Sequence, residues 1–157
     1  MKKIVAGVDG SKGSEQALHL AVALAKHNGG TVQAVTAWHI ATLAYGGPGI
    51  TLPVDVSAFE ENAEETSRKA VDRVAAEAEG VRIERLVHEG PAARVLLDAA
   101  READLLVVGS RGLGGFTGLL LGSVSQQCAQ HASCPVLIAP DSERASEVDR
   151  DEAEAGS

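Results

Sequence analysis

Asp104-Leu105-Leu106-Val107-Val108-Gly109-Ser110-Arg111-Gly112, followed after nine residues by Gly122-Ser123-Val124-Ser125, is the stretch that decides how this chain folds. The run from Leu105 to Val108 is short and continuously apolar, as a strand is when both of its faces are buried. Gly109 then marks the point where that strand leaves its sheet. Ser123 to Ala132 reads as a helix, and a helix start offers unpaired backbone N–H groups and the positive end of a dipole to an anion. Glycines in between let the backbone approach a ligand without Cβ interference. Strand end, glycine-rich loop and helix start, in that order, are how a parallel sheet holds a phosphate.

The rest of the chain alternates in the same way. Ile4 to Val8 is a buried strand ending at Asp9-Gly10-Ser11, and either Ser11 or Ser14 can cap a helix running to about His27. Ala17, Leu18, Ala21, Val22 and Ala25 recur on one face of that helix, and Asn28-Gly29-Gly30 stops it. Thr31 to Trp38 is the second strand. Ile40 to Val56 has no period, and a stretch of that length in a compact domain is usually functional or mobile. From about Ser57 to Glu79, Ala70, Val71, Val74, Ala75 and Ala78 recur at helical spacing before Gly80. Val81 to His88 is the third strand. Pro91 opens the next helix in its first turn, with Val95, Leu96 and Ala99 facing inward. Pro135 to Ala139 is the last strand, and proline at its start places it at a sheet edge.

Five strands with four helical segments between them imply one α/β domain: a single open, mostly parallel five-stranded sheet with helices on both faces. Ligands of such sheets bind beyond the carboxyl ends of the strands, where strand order reverses. Two of those ends carry special chemistry: Gly7-Val8-Asp9-Gly10-Ser11 after the first strand, and Gly109 to Gly112 after the fourth. If the two strands are neighbours, Asp9 and the glycine loop face one crevice.

Composition narrows the classes further. The chain has 157 residues, 45% of them apolar, 23% charged and only 3% aromatic, so one domain with an Ala, Val, Leu and Ile core is expected. There is no run of eighteen apolar residues and no signal-peptide pattern after Met1, so no membrane contact and a cytoplasmic location are expected. Net charge is −8, of which the last seventeen residues carry −5. That stretch, residues 141–157, has Val148 as its only large apolar residue, and an acidic, disordered tail is the expectation. Neither tail nor body carries a basic stripe, which argues against nucleic acid.

Cys128 and Cys134 match neither a redox CxxC pair nor a zinc site and read as small buried residues. His19, His27, His39, His88 and His131 form no ligand pair at close spacing. His39 and His88 fall near strand ends but read as loop residues.

Taken together, Gly109-x2-Gly112-x9-Gly122-Ser123, the preceding Asp-Leu-Leu-Val-Val strand and the N-terminal Val8-Asp9-Gly10-Ser11 resemble the universal stress protein family, in its ATP-binding branch. The resemblance covers residues 1–140, including Gly90-Pro91-Ala92 and Cys134-Pro135-Val136-Leu137-Ile138. It implies a Rossmann-like, adenine nucleotide alpha hydrolase-like sheet with strand order 3-2-1-4-5. It also implies a site. Gly7, Val8 and Asp9 would line the nucleotide pocket, with Asp9 near the phosphates and a bound Mg²⁺, whose remaining shell phosphate and water would supply. Ala37 would lie against adenine. Val108, Gly109, Arg111 and Gly112 would pass along ribose and phosphates, and Gly122, Ser123, Val124 and Ser125 would hold the phosphate chain. A homodimer formed through Pro135 to Ala139 is implied as well.

Each position has a plainer reading. Asp9 could cap the first helix, Arg111 could be a solvated loop residue, and Ser123 could be an N-cap, a role compatible with phosphate binding. Gly114, Gly115 and Gly118 read as flexible spacer. Three functions follow from the same residues: an ATP-binding regulatory or stress-tolerance module, a slow ATPase or nucleotide-transferring enzyme, or a stress-associated dimer without nucleotide. The chain has no GxxxxGK[ST] loop, no kinase HRD or DFG set and no GxSxG elbow, which ranks binding ahead of catalysis.

Overall fold

In the computed structural model, which describes residues 1–40, 55–113 and 120–140, the apolar runs and amphipathic segments form one α/β unit. Its elements are β1 (Lys3–Gly7), α1 (Lys12–Asn28), β2 (Thr31–Trp38), α2 (Val56–Val74), β3 (Arg82–Glu89), α3 (Ala92–Ala99) with a short 3-10 turn after it, β4 (Leu105–Gly109), α4 (Ser123–His131) and β5 (Val136–Ala139). All five strands pair in parallel in the order β3-β2-β1-β4-β5. The spacer glycines 114, 115 and 118, most of the aperiodic stretch and the acidic tail lie outside the described residues.

Alternation along each strand divides the core between the two faces of the sheet. Ile4 and Ala6 of β1, with Val32 and Ala34 of β2, meet Leu18, Ala21 and Val22 of α1 and Ala70 and Val74 of α2. On the opposite face, Val5, Val35, Leu106 and Val108 meet Leu96 of α3 and Cys128 of α4. The largest fully buried side chains are aliphatic, as the aromatic-poor composition requires. Each contributes roughly 1.5–3 kcal/mol by leaving water.

Local chemistry sets the boundaries. Ser11 is the N-cap of α1, its Oγ accepting from the Ser14 N–H at 3.2 Å. Gly29 ends the helix at φ 65°, its N–H donating to Ala25 O. Pro91 occupies the N-cap position of α3 rather than its first turn. The helix read as 57–79 stops earlier, at Val74. The chain there closes through turns in which Glu77 and Ala78 donate to Val74 O and Val81 donates to Ala78 O. Those turns keep Ala78 on the core while Ala75 faces solvent.

Asp104 fixes the register of the central strands. Its Oδ2 accepts from the N–H groups of Lys2 at 2.7 Å and Lys3 at 2.8 Å, and Ile4 is thereby aligned with Leu105. Two backbone N–H donors hold the Asp104 carboxyl below its ordinary pKa. The sheet edges differ in character. β3 carries exposed Arg82, Glu84, Arg85, His88 and Glu89, the charged edge that discourages pairing, whereas β5 leaves Val136, Leu137 and Ile138 half-buried. Among the described residues, no helix is long and apolar enough to cross a membrane.

Candidate functional site

Because β2 and β4 lie on opposite sides of β1, the chain departs in opposite directions from the carboxyl ends of β1 and β4. The crevice between such ends is the one place where neither connection covers the sheet. A cavity of about 540 Å³ opens there.

Its lining gathers Gly7, Val8 and Asp9 from the end of β1, Ala37 from β2, and Val108, Gly109, Arg111 and Gly112 from β4 and its loop. Gly122, Ser123, Val124 and Ser125 complete it from the start of α4. All the positions singled out in the sequence therefore share one concavity. His39 and His88 are exposed and stand outside that lining.

The loop after β4 is held from three directions. Ser110 N–H donates to Ala139 O on β5 at 2.8 Å, while Ser110 O accepts from Gly122 N–H at 2.7 Å and from Ser125 Oγ at 3.0 Å. From below, Gly13 of α1 touches the loop backbone: a Cβ added to Gly109 would stand 2.6 Å from the Gly13 carbonyl carbon. These contacts fold the chain back so that α4 begins inside the crevice. Its N-cap, Gly122, makes no side-chain cap bond. The first N–H groups of a helix have no partner within it, and here they belong to residues that line the cavity.

Asp9 is placed by its neighbours. Its Oδ1 accepts from Ser11 N–H at 2.9 Å, and its own N–H donates to Ser14 Oγ at 3.3 Å. Ser14 Oγ in turn donates to Ser11 O at 2.9 Å. The helix cap is therefore Ser11, and Asp9 braces the turn that precedes it. The other carboxylate oxygen, Oδ2, lies against Gly112. Among the described residues no three His, Cys, Asp or Glu side chains gather into a metal cluster. A cation carried by Asp9 would take its other ligands from phosphate and water, which suits Mg²⁺.

At the far end, β2 outruns β1. The β1–β2 ladder ends at Gly7 opposite Val35, and Val8 N–H donates to Val35 O just beyond it. Trp38 O faces the other way, accepting from Gly90 N–H. Backbone direction alternates along a strand, so the N–H and C=O of Ala37 point past the end of β1 into the crevice. Around them lie Val35, Ala92 and Leu96, which line the cavity with Val108 and Val124.

Sequence reading did not place Ser11, Ser14, Val35, Ala92, Leu96 or Leu113 in the site. Val35 could have been found, since it lies two residues before Ala37 and a strand repeats every second residue. Ala92 and Leu96 reach the cavity only through the packing of α3, visible as a 3.1 Å approach of Leu96 Cδ1 to a Cβ built on Gly7.

Residues 1–140 match the model of the universal stress protein family. A universal stress protein of Mycobacterium tuberculosis is 37% identical over 139 residues, covering 88% of this chain and 45% of the relative. One of Mycolicibacterium smegmatis is 38% identical over 140 residues, covering 86% and 44%. The chain thus spans about half the length of the curated relatives it matches. Among solved structures, a universal stress protein in complex with cAMP is similar with a TM-score of 0.67 and 31% identity, over 90% of this chain and 98% of that one.

Proposed function

This chain belongs to the universal stress protein family, and from that premise we propose that it is a regulatory or stress-tolerance module that binds ATP in the β1–β4 crevice. The observation that carries the reading is the start of α4: a glycine N-cap without a side-chain bond, in a cavity whose opposite side offers an open strand edge. One end suits an anion and the other a flat, hydrogen-bonding base.

The phosphates would take the N–H groups of Ser123, Val124 and Ser125, assisted by the helix dipole. Arg111 would add charge along the same path. The Ala37 N–H would donate to a ring nitrogen of adenine and its C=O would accept from the exocyclic amine. Guanine carries a ring N–H and a carbonyl at the corresponding positions, so the same edge disfavours it. Leu96, Val35 and Val108 would cover the faces of the base. Asp9 would hold Mg²⁺ against the triphosphate, offsetting the repulsion between its carboxylate and the phosphates. The related structure with cAMP supports an adenine nucleotide as the ligand class.

Binding ranks ahead of turnover because, among the described residues, Asp9 and Arg111 are the only ones in the lining with charged side chains, and one Asp9 oxygen is engaged by Ser11. Fast phosphoryl transfer needs a group that orients the attacking water as well as charge that stabilises the transition state. Slow hydrolysis is the second reading. A single-turnover assay separates the two: hydrolysis lost in Asp9→Ala with binding retained would favour an enzyme. We further propose a cytoplasmic homodimer joined through the apolar β5 edge, which a monomeric mass in light scattering would overturn.

Calorimetry tests the central reading. ATP with Mg²⁺ should bind, GTP should not, and Gly122→Val should abolish ATP binding in a protein that remains folded. No detectable heat with ATP and Mg²⁺ in the intact chain would refute it.

A further inference from the structure

We propose that Gly13, in the first turn of α1, is a positioning residue for the phosphate-binding loop, setting the height at which residues 109–112 cross the crevice. This inference rests on the nucleotide reading above. Glycine inside a helix is the unfavourable choice, because alanine loses less backbone freedom and shields the helix better. Gly13 has no positive φ to excuse it. Its explanation is contact. A Cβ on Gly13 would stand 2.8 Å from Arg111 O and 3.5 Å from Gly109 Cα, and Gly13 is buried by that crossing. Seen from the other side, a Cβ on Gly109 would meet Gly13 C, O and Cα at 2.6, 2.8 and 2.9 Å. Both partners are backbone, which cannot rotate aside as a side-chain tip can.

The crossing matters to the site because the loop passes its position on to α4. Ser110 O accepts from Gly122 N–H and Ser125 Oγ, so a lift at Gly109 and Arg111 shifts the start of α4, opposed only by the single Ser110 bond to Ala139 of β5 among the hydrogen bonds described above. The base end of the cavity, at Val35, Ala37 and Leu96, belongs to other elements and would stay in place, and Val108 precedes the crossing, held in β4 opposite Ile138 of β5. Gly13 therefore acts on phosphate recognition and not on adenine recognition. A residue that merely supported the fold would weaken both together.

The test compares ATP and adenine, the base without ribose or phosphates, on wild type and Gly13→Ala by calorimetry, with thermal unfolding of each protein. The expected result is a folded variant whose ATP affinity falls about tenfold or more, the scale of one charge-assisted contact, while adenine affinity is unchanged. Equal losses for the two ligands, or no loss for either, would overturn the proposal. So would a variant that does not fold, since the crossing would then serve the domain as a whole. Absence of ATP binding in the wild type would instead refute the nucleotide reading itself.

Discussion

Asp9 and Gly112 touch across the crevice: a Cβ on residue 112 would come within 2.8 Å of Asp9 Oδ2. The carboxylate after the first strand is thus seated against Gly112, in the loop after the fourth. Alanine at 112 must turn that carboxylate, which is short and exposed and can yield at small cost. Gly112→Ala should then fold normally but lose part of the affinity that Mg²⁺ adds to ATP binding. Calorimetry with and without Mg²⁺ reads the effect, and an undiminished Mg²⁺ increment in the variant would separate Asp9 from the cation.

Asp104 offers a test of the sheet rather than the site. Its carboxylate accepts from the N–H groups of Lys2 and Lys3, and those bonds lower its pKa from the ordinary 3.8. A carboxyl with a depressed folded-state pKa adds stability above its unfolded pKa, and that stability is lost as pH falls through the folded value. Asp104→Ala should therefore melt below wild type at neutral pH, and the gap should narrow as the medium is acidified past the carboxylate range. A gap of constant size from neutral to strongly acidic pH would show that the charge on Asp104 is irrelevant.

The sequence made the β–α alternation legible because its punctuation is local. Gly29 ends α1 and the whole of Thr31–Trp38 emerges as β2. Ser11 and Ser14 could not be ranked as caps, since both hydroxyls suit the role and only the turn at Asp9 decides between them. Ala93 and Ala100 of the α3 region are buried while the inward-read Val95 and Ala99 are only partly so, because the tilt of α3 on the sheet is a packing outcome. The crevice residues were legible where they follow strand ends. Gly13 was not: nothing near it in sequence reveals that residues 109 and 111 pass over it.

Packing predicts a sharp contrast within α1. Leu18 is fully buried between the sheet and α2, whereas Leu20, two residues on, is 37% exposed. Truncating a buried leucine costs the transfer energy and leaves a cavity, about 2–5 kcal/mol in all. Leu18→Ala should lose that much in denaturant unfolding, and Leu20→Ala should stay within about 0.5 kcal/mol of wild type, as surface changes do. Similar losses at both positions would contradict the face assigned to α1.

The two cysteines should differ in reactivity. Cys128 lies at zero exposure among Leu96, Val5 and Leu106, and burial pushes its thiol up to about 11. Only the thiolate attacks an alkylating reagent, so at pH 8 roughly one molecule in a thousand is chemically competent at Cys128, before access is considered. Cys134, at the entrance to β5, is also raised by desolvation but is partly exposed. Iodoacetamide on the native protein at pH 8 should therefore give at most one adduct per chain, at Cys134, and two after denaturation. Peptide mass spectrometry reads the site. Native labelling of Cys128 as fast as Cys134 would mean that the α3–α4 side of the sheet opens far more readily than its packing implies.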